Sequence, residues 1–281
     1  MILVADSGST KTTWCIISRH DNDGDSCQTA GINPFLQSEE EISSCLQQEF
    51  SLSRGPFGAV YFYGAGCANP EKIEKVKRVL ADFFKSDQIS VNSDLMAAAR
   101  SLCGDNPGIA AIMGTGSNSC YYDGKVIKKH VPPLGYILGD EGSGSVLGRK
   151  LLSDLLKNQL PADITEDFFE KYKFEPAEIL DRVYRQPFPN RFMAGFTRFM
   201  AENIDHPSIY KLVKSSFAEF FVRNISQYPE ATGMPVNFTG SICWHFGEVL
   251  KAAAGENGFR TGTITRAPME GLVEYHKKQI Q

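Results

Sequence analysis

Short apolar runs alternate with longer amphipathic stretches from the first residues onward. Residues 2–6 and 12–19 are apolar and rich in β-branched side chains, and Ser7-Gly8-Ser9-Thr10-Lys11 between them predicts two strands joined by a tight polar turn. Asn22-Asp23-Gly24-Asp25 predicts a second turn and residues 26–30 a third strand. Ser38 ahead of Glu39, Glu40 and Glu41 predicts a capped helix running to Phe50, its carboxylates at the positive end of the helix dipole. Strands over 59–63 and 89–92 then alternate with helices over 71–84 and 95–102. A hairpin followed by such alternation predicts a mixed sheet covered by helices.

The pattern begins again after Gly108. Residues 109–113 are apolar, Gly114-Thr115-Gly116-Ser117-Asn118-Ser119 is a polar turn, and short strands follow over 120–122 and 126–128. A helix is predicted over 142–156, with Leu147, Leu151 and Leu155 on one side and with apolar positions 136–138 ahead of it implying burial. Residues 161–228 read as mainly helical, broken at Pro176, Pro187, Pro189 and Pro207. A strand over 236–239, the turn Gly240-Ser241, a helix over 243–254, a strand over 261–266 and a helix from Met269 complete the chain. The expectation is an α/β protein of two domains, 1–106 and 107–281, the second carrying a helical insertion. A Gly/Ser/Thr hairpin opens each half, as two copies of one unit would show.

The length, 281 residues, fits two domains better than one, and the net charge of −4 comes without a long basic run. Nucleic-acid and anionic-membrane partners are therefore not expected, since both draw on a concentrated positive field. No apolar stretch reaches the length of a membrane span, and Met1-Ile2-Leu3-Val4-Ala5-Asp6 reads as a buried strand of a cytoplasmic protein. Seven scattered cysteines without a Cys-x-x-Cys pair point to reduced thiols.

Two turns invite a phosphate. In the first, Asp6 ends a buried strand and is placed to orient a magnesium ion, while Ser7, Gly8, Ser9, Thr10 and Lys11 offer hydroxyl and backbone N–H donors. It is not a Walker A loop, because a strand and not a helix follows; a plain hairpin turn is the alternative. In the second, Thr115, Gly116 and Ser117 repeat the arrangement. Asp94, beyond the strand over 89–92, is the candidate general base for a hydroxyl attacking phosphorus, with Ser93 or Asp94 also able to cap the helix that follows.

Gly135-Tyr136-Ile137-Leu138-Gly139-Asp140-Glu141-Gly142-Ser143-Gly144 is the densest unusual stretch; Asp140 suits a sugar hydroxyl or a water on magnesium, and capping by the acidic residues is the alternative. Asn33, before Pro34, offers an amide that both donates and accepts, as a sugar requires, or else an ordinary turn. Gly240 and Ser241 leave room for a flat adenine ring or simply start a helix.

Together these motifs resemble the BadF/BadG/BcrA/BcrD-type ATPases and, within them, the N-acetylglucosamine kinases of the sugar kinase/Hsp70/actin superfamily. The resemblance runs over essentially the whole chain. Residues 6–12 resemble phosphate-1, Asn92-Ser93-Asp94 the loop with the base, 114–118 phosphate-2, and 135–143 the Gly-x-x-x-Gly-Asp-Glu-Gly-Ser signature. The resemblance implies two ribonuclease-H-like domains with a nucleotide and substrate cleft between them, the last helix returning to the first domain, and frequent homodimers. It implies ATP and Mg2+ as cofactors and an amino sugar, N-acetylglucosamine first, as acceptor at its 6-hydroxyl. It puts Asp6 and Thr10 toward magnesium and phosphates, Asp94 as base, Asn33, Thr115, Gly116, Ser117, Gly135 and Asp140 around sugar and phosphate, and Gly240-Ser241 at adenosine.

This chain has Ser7 and Ser9 where the family often has glycine, Phe35 near a tryptophan of the animal kinases, and Tyr136 in place of their histidine. Two competing readings share the fold: an ATPase activator for electron transfer, whose cysteine motif is missing after phosphate-2, and a non-catalytic sugar or nucleotide sensor.

Overall fold

The computed structural model describes residues 1–8, 10–18 and 24–280, so that Ser9 and part of the turn expected over 22–25 lie outside the described residues. The chain divides into two compact units: 1–107 with 123–127 and 267–281, and 108–122 with 128–266.

In the first unit, β1 (Ile2–Ser7), β2 (Lys11–Ile17) and β3 (Ser26–Ala30) precede α1 (Glu39–Glu49), β4 (Ala59–Gly64), α2 (Pro70–Phe84), β5 (Ile89–Ser93) and α3 (Asp94–Cys103). Ser38 and Glu41 close a reciprocal capping box at α1. The sheet runs β3-β2-β1-β4-β5, antiparallel from β3 to β1 and parallel from β1 to β5. Its central strand is covered on both faces. Leu3 and Ala5 join a core built around Trp14, whose ring meets Phe50 edge-on at 5.4 Å and whose indole N–H donates to Thr29 Oγ1. Ile2 and Val4 point to the other face, among Tyr63 and Ala97. By the same alternation Asp6 is carried to that second face, at the carboxyl end of the strand.

The second unit holds β6 (Pro107–Met113), β7 (Ser117–Asp123) and β8 (Ile127–Val131), then α4 (Gly135–Leu138), α5 (Gly144–Leu156), α6 (Ala162–Tyr172), α7 (Pro176–Tyr184), α8 (Pro189–Gly195), α9 (Thr197–Glu202) and α10 (Pro207–Arg223). After two 3-10 turns come β9 (Val236–Thr239), α11 (Ser241–His245), α12 (Gly247–Glu256) and β10 (Thr261–Thr265). This sheet runs β10-β9-β6-β7-β8. Leu147, Leu151 and Leu155 are buried along one stripe of α5, as their spacing requires. Phe168 sits fully buried among Tyr172, Phe196 and Phe199, with ring centroids 4.9 to 5.3 Å away, and this aromatic cluster ties α6 to the α8–α9 segment.

The last helix, α13 (Met269–Ile280), packs on α3, β2 and β1 of the first unit. Its Leu272 is fully buried against Ile2 and Val4, and the ring of its buried His276 is hydrogen-bonded to Tyr63 Oη at 2.8 Å. Among the described residues no helix is long and apolar enough to cross a membrane.

Three sequence expectations are corrected. Ile137 and Leu138 are each 68% exposed, because 135–138 form one short helical turn entered through a left-handed Leu134 (φ 59°), not a buried segment. The helix expected over 142–156 starts at Gly144, with Ser143 as its cap. The helix expected over 243–254 is two helices, broken where buried Phe246 ends α11.

Replacing Phe168 by Ala removes the centre of the aromatic cluster. The expected loss is about 3–5 kcal/mol, read by urea denaturation followed through a probe in the second unit.

Candidate functional site

In the first unit the candidate residues gather where β1, β5 and the loop after β3 end. The β1–β2 turn is tight, with Gly8 N–H donating to Lys11 O at 3.0 Å, and its tip is exposed at Gly8, Thr10 and Lys11. Ser7 behaves differently from its neighbours. Its buried hydroxyl accepts from Ile32 N–H (2.9 Å), donates to Ile32 O (3.1 Å) and lies 2.8 Å from Thr12 Oγ1. That side chain is consumed in pinning the turn to the loop that carries Asn33, so a ligand can meet Ser7 only through its backbone. Gly31 N–H adds a second tie, to Thr10 O.

Asn33 forms a compact turn of its own. Its Oδ1 accepts from Phe35 N–H (3.0 Å), its N–H donates to Gln37 Oε1 (2.7 Å), and Lys75 Nζ holds the carbonyls of Pro34 and Gln37.

Asp94 opens α3 from the end of the edge strand β5. The cap is Ser93, whose Oγ accepts from Met96 N–H, while Asp94 Oδ1 accepts from the adjacent Leu95 N–H at 2.8 Å. The capping alternative therefore belongs to Ser93. Burial pushes the Asp94 carboxyl above its ordinary range. Asp6 is pushed up to about 7, first by burial and then by the charge of Asp94, against which Lys11 pulls weakly in the other direction. The Asp6 carboxylate is a hard-oxygen donor that fits a magnesium ion, which would draw its remaining ligands from phosphate and water. Among the described residues no group of three or more His, Cys, Asp or Glu side chains gathers to hold a metal alone.

In the second unit the turn 114–116 is welded to the start of α5. Gly144 N–H donates to Gly114 O (2.9 Å), Ser145 N–H to Thr115 O (3.0 Å), and Gly114 N–H to Gly116 O (2.9 Å). The orphan donors of the helix start are thus spent on the turn's carbonyls, which fixes the orientation of the turn. Asp140 lies over it. Its Oδ1 accepts from Ser117 N–H at 3.2 Å, and a Cβ added at Gly116 would stand 3.1 Å from its other carboxylate oxygen. Burial and the nearby Glu141 raise the Asp140 carboxyl to about 6, with the Ser117 N–H acting the other way.

Gly240 reaches the same place from β9. At φ 132° it packs so closely on the end of β6 that a Cβ would fall 2.2 Å from Met113 O, and Ile242, two residues on, approaches Gly144. Phosphate-2, the α5 start, Asp140 and Gly240 are therefore together, with Ser241 exposed beside them. Gly135 stands apart at the exposed start of α4, joined to Gly139 by a hydrogen bond. Ser9 lies outside the described residues. The acidic pair does not cap α5. Glu141 instead turns inward, to Arg223 Nε at 2.9 Å and Asn224 Nδ2 at 3.1 Å. No motif marks Asn224; only the presence of a polar residue at the end of an apolar helix hints at it.

Two five-stranded mixed sheets, each with a polar turn between its first two strands, define the actin-like ATPase fold to which sugar kinases belong. A glucokinase of the ROK family from Streptomyces griseus, in complex with glucose and AMPPNP, shares that fold at 14% identity, over 98% of this chain and 97% of its own, with a TM-score of 0.57. A Chromobacterium violaceum protein described as a candidate N-acetylglucosamine kinase does so at 14% identity, over 98% of both chains, with a TM-score of 0.71. No family model and no curated protein matches the chain. A Porphyromonas gingivalis protein, also described as a candidate N-acetylglucosamine kinase, is 46% identical over 100% of both chains, with a TM-score of 0.95. The chain belongs to its family, the N-acetylglucosamine kinase family of sugar kinases.

The raised pKa of Asp6 has a measurable consequence. Folding favours its protonated form, so its contribution to stability is fully present below about pH 4 and is lost as pH rises through about 7. Asp6→Asn should flatten this slope and leave the metal-free protein more stable at pH 8, by roughly 2–4 kcal/mol in denaturant melts, while abolishing any phosphate transfer.

Proposed function

We propose that the protein transfers the γ-phosphoryl group of ATP to the 6-hydroxyl of an amino sugar, with N-acetylglucosamine as the acceptor. The observation that carries this reading is the placement of Asp94. It stands recessed at the start of α3, relieved of capping by Ser93, and in electrostatic reach of Asp6. A carboxylate so placed suits a general base, and the pull of burial on its proton affinity makes it a better one.

In this reading Asp94 accepts the proton of the sugar hydroxyl as the new O–P bond forms and the bond to the departing ADP breaks. Asp6 holds the magnesium ion, which when bound would neutralise charge on the phosphates. The turn of Ser7, Gly8, Ser9, Thr10 and Lys11 receives the phosphates from the first unit through the Thr10 hydroxyl and the Lys11 ammonium, the Gly8 N–H being already given to Lys11 O. In the second unit Thr115 and Gly116 do the same, their turn held rigid by α5, and Gly240 with Ser241 receives the adenosine. In the first unit Asn33 and Asp94, and in the second Gly116, Ser117 and Asp140, are the groups suited to recognise the sugar, while Gly135 stands apart from them. Asn33 Oδ1 is already engaged by Phe35 N–H, so its amide Nδ2 is the group offered to a hydroxyl. The whole-chain likeness to the Porphyromonas gingivalis protein supports the choice of acceptor.

ADP release with magnesium and ATP should appear with N-acetylglucosamine and be weaker with glucosamine, N-acetylmannosamine, N-acetylmuramate and neutral hexoses. Asp94→Asn should lower kcat by about 10²- to 10⁴-fold with ATP binding retained. Tight ATP binding without release for any sugar would refute the kinase reading. In the wild type the rate should fall as pH drops through the raised pKa of Asp94, since the protonated carboxyl cannot accept the hydroxyl proton.

A further inference from the structure

We infer that Glu141 and Asn224 form a latch that holds Asp140 over the Gly116–Ser117 turn, which makes Asn224 a positioning residue for the acceptor sugar. The inference deepens the reading of Asp140 as a sugar ligand and rests on it.

Asp140 is held in a left-handed conformation, φ 54°, that aspartate enters more readily than most non-glycine residues but that its neighbours must still hold in place. Backbone bonds flank it: its N–H donates to Pro133 O at 2.9 Å, and Ser143 N–H donates to its carbonyl at 3.0 Å. The next side chain supplies the remaining tie. Glu141 is only 7% exposed and Asn224 only 6%, and Asn224 Nδ2 donates to Glu141 Oε2 at 3.1 Å from the end of α10. Arg223 covers the other oxygen from the solvent side at 2.9 Å, its own side chain 60% exposed. A recessed carboxylate with two well-placed donors cannot leave without stranding its charge, so Glu141 fixes the backbone on which Asp140 turns.

The same chain segment grips the neighbouring strands. Tyr228, just beyond Asn224, accepts from Val131 N–H and donates to Ser119 O, both at 2.9 Å. The end of α10 thus holds both sides of the Asp140–Ser117 contact. Without Asn224 the 139–142 segment can relax from its left-handed turn, and the Asp140 carboxylate drifts from Ser117 N–H.

The test pairs kinetics with hydrogen exchange. Asn224→Leu should raise the KM for N-acetylglucosamine about tenfold while leaving kcat and the KM for ATP within about twofold. Glu141→Gln, which keeps one acceptor oxygen for Asn224 but turns an amide N–H toward Arg223, should shift both readouts in the same direction and less than Asn224→Leu. Amide exchange over 139–143 in the ligand-free protein should quicken about tenfold in Asn224→Leu, with exchange over 2–7 unchanged. Arg223→Ala, which removes only the outer donor, should shift both readouts less and in the same direction, and it decides the matter if Asn224→Leu does not fold. Unchanged exchange over 139–143 overturns the latch whatever the activity. Faster exchange with an unchanged sugar KM overturns its role in binding. Wild-type enzyme that shows no sugar-dependent turnover overturns the reading of Asp140 as a sugar ligand, while the exchange result still decides whether the latch exists.

Discussion

Two N–H groups at the start of α5 donate to carbonyls of the turn between β6 and β7, and much of the second unit's chemistry depends on that contact. A helix start ordinarily presents several orphan donors, and a phosphate is one partner that could take them. Here the first two are spent on Gly114 and Thr115. They leave a turn oriented by backbone hydrogen bonds, with Asp140 over it and Gly240 packed on the end of β6 just before it. Gly240 lets the end of β9 approach the end of β6 with no side chain between, and Gly116 leaves room for the Asp140 carboxylate.

The first unit solves a different problem. Two carboxylates stand at the ends of β1 and β5, both raised by burial, and the charge of Asp94 raises Asp6 further. Such a pair is costly to ionise, and the surrounding structure supplies the rigidity that keeps it in place. Ser7 contributes to that rigidity by binding the Asn33 loop to the β1 end. A hydroxyl in such a polar turn is easily assigned to a ligand; in this chain it belongs to the scaffold.

The strands and most helices were legible in the sequence because burial on a sheet or a helix stripe leaves a period that side chains must follow. Asp6, Asp94 and both Gly/Ser/Thr turns were legible for a related reason: each sits where a periodic run stops. What the sequence hid was decided by distant partners. Ile137 and Leu138 read as buried and are exposed, since a run of three apolar residues does not tell a buried segment from one turn of surface helix. The fate of the Ser7 hydroxyl depends on Ile32, 25 residues on, and that of Glu141 on Asn224, 83 residues on. The break at Phe246 falls where its buried ring is followed by Gly247.

The place of α13 bears on how the protein is made. The face of the first sheet that carries Ile2 and Val4 is closed by Leu272, a residue synthesised after the whole of the second unit. The strands of the first unit thus leave the ribosome before the second unit, yet their sheet is covered only after it. During synthesis the second unit can complete its core while the first still shows an apolar sheet face to its surroundings, a stretch of time in which a chaperone has something to hold.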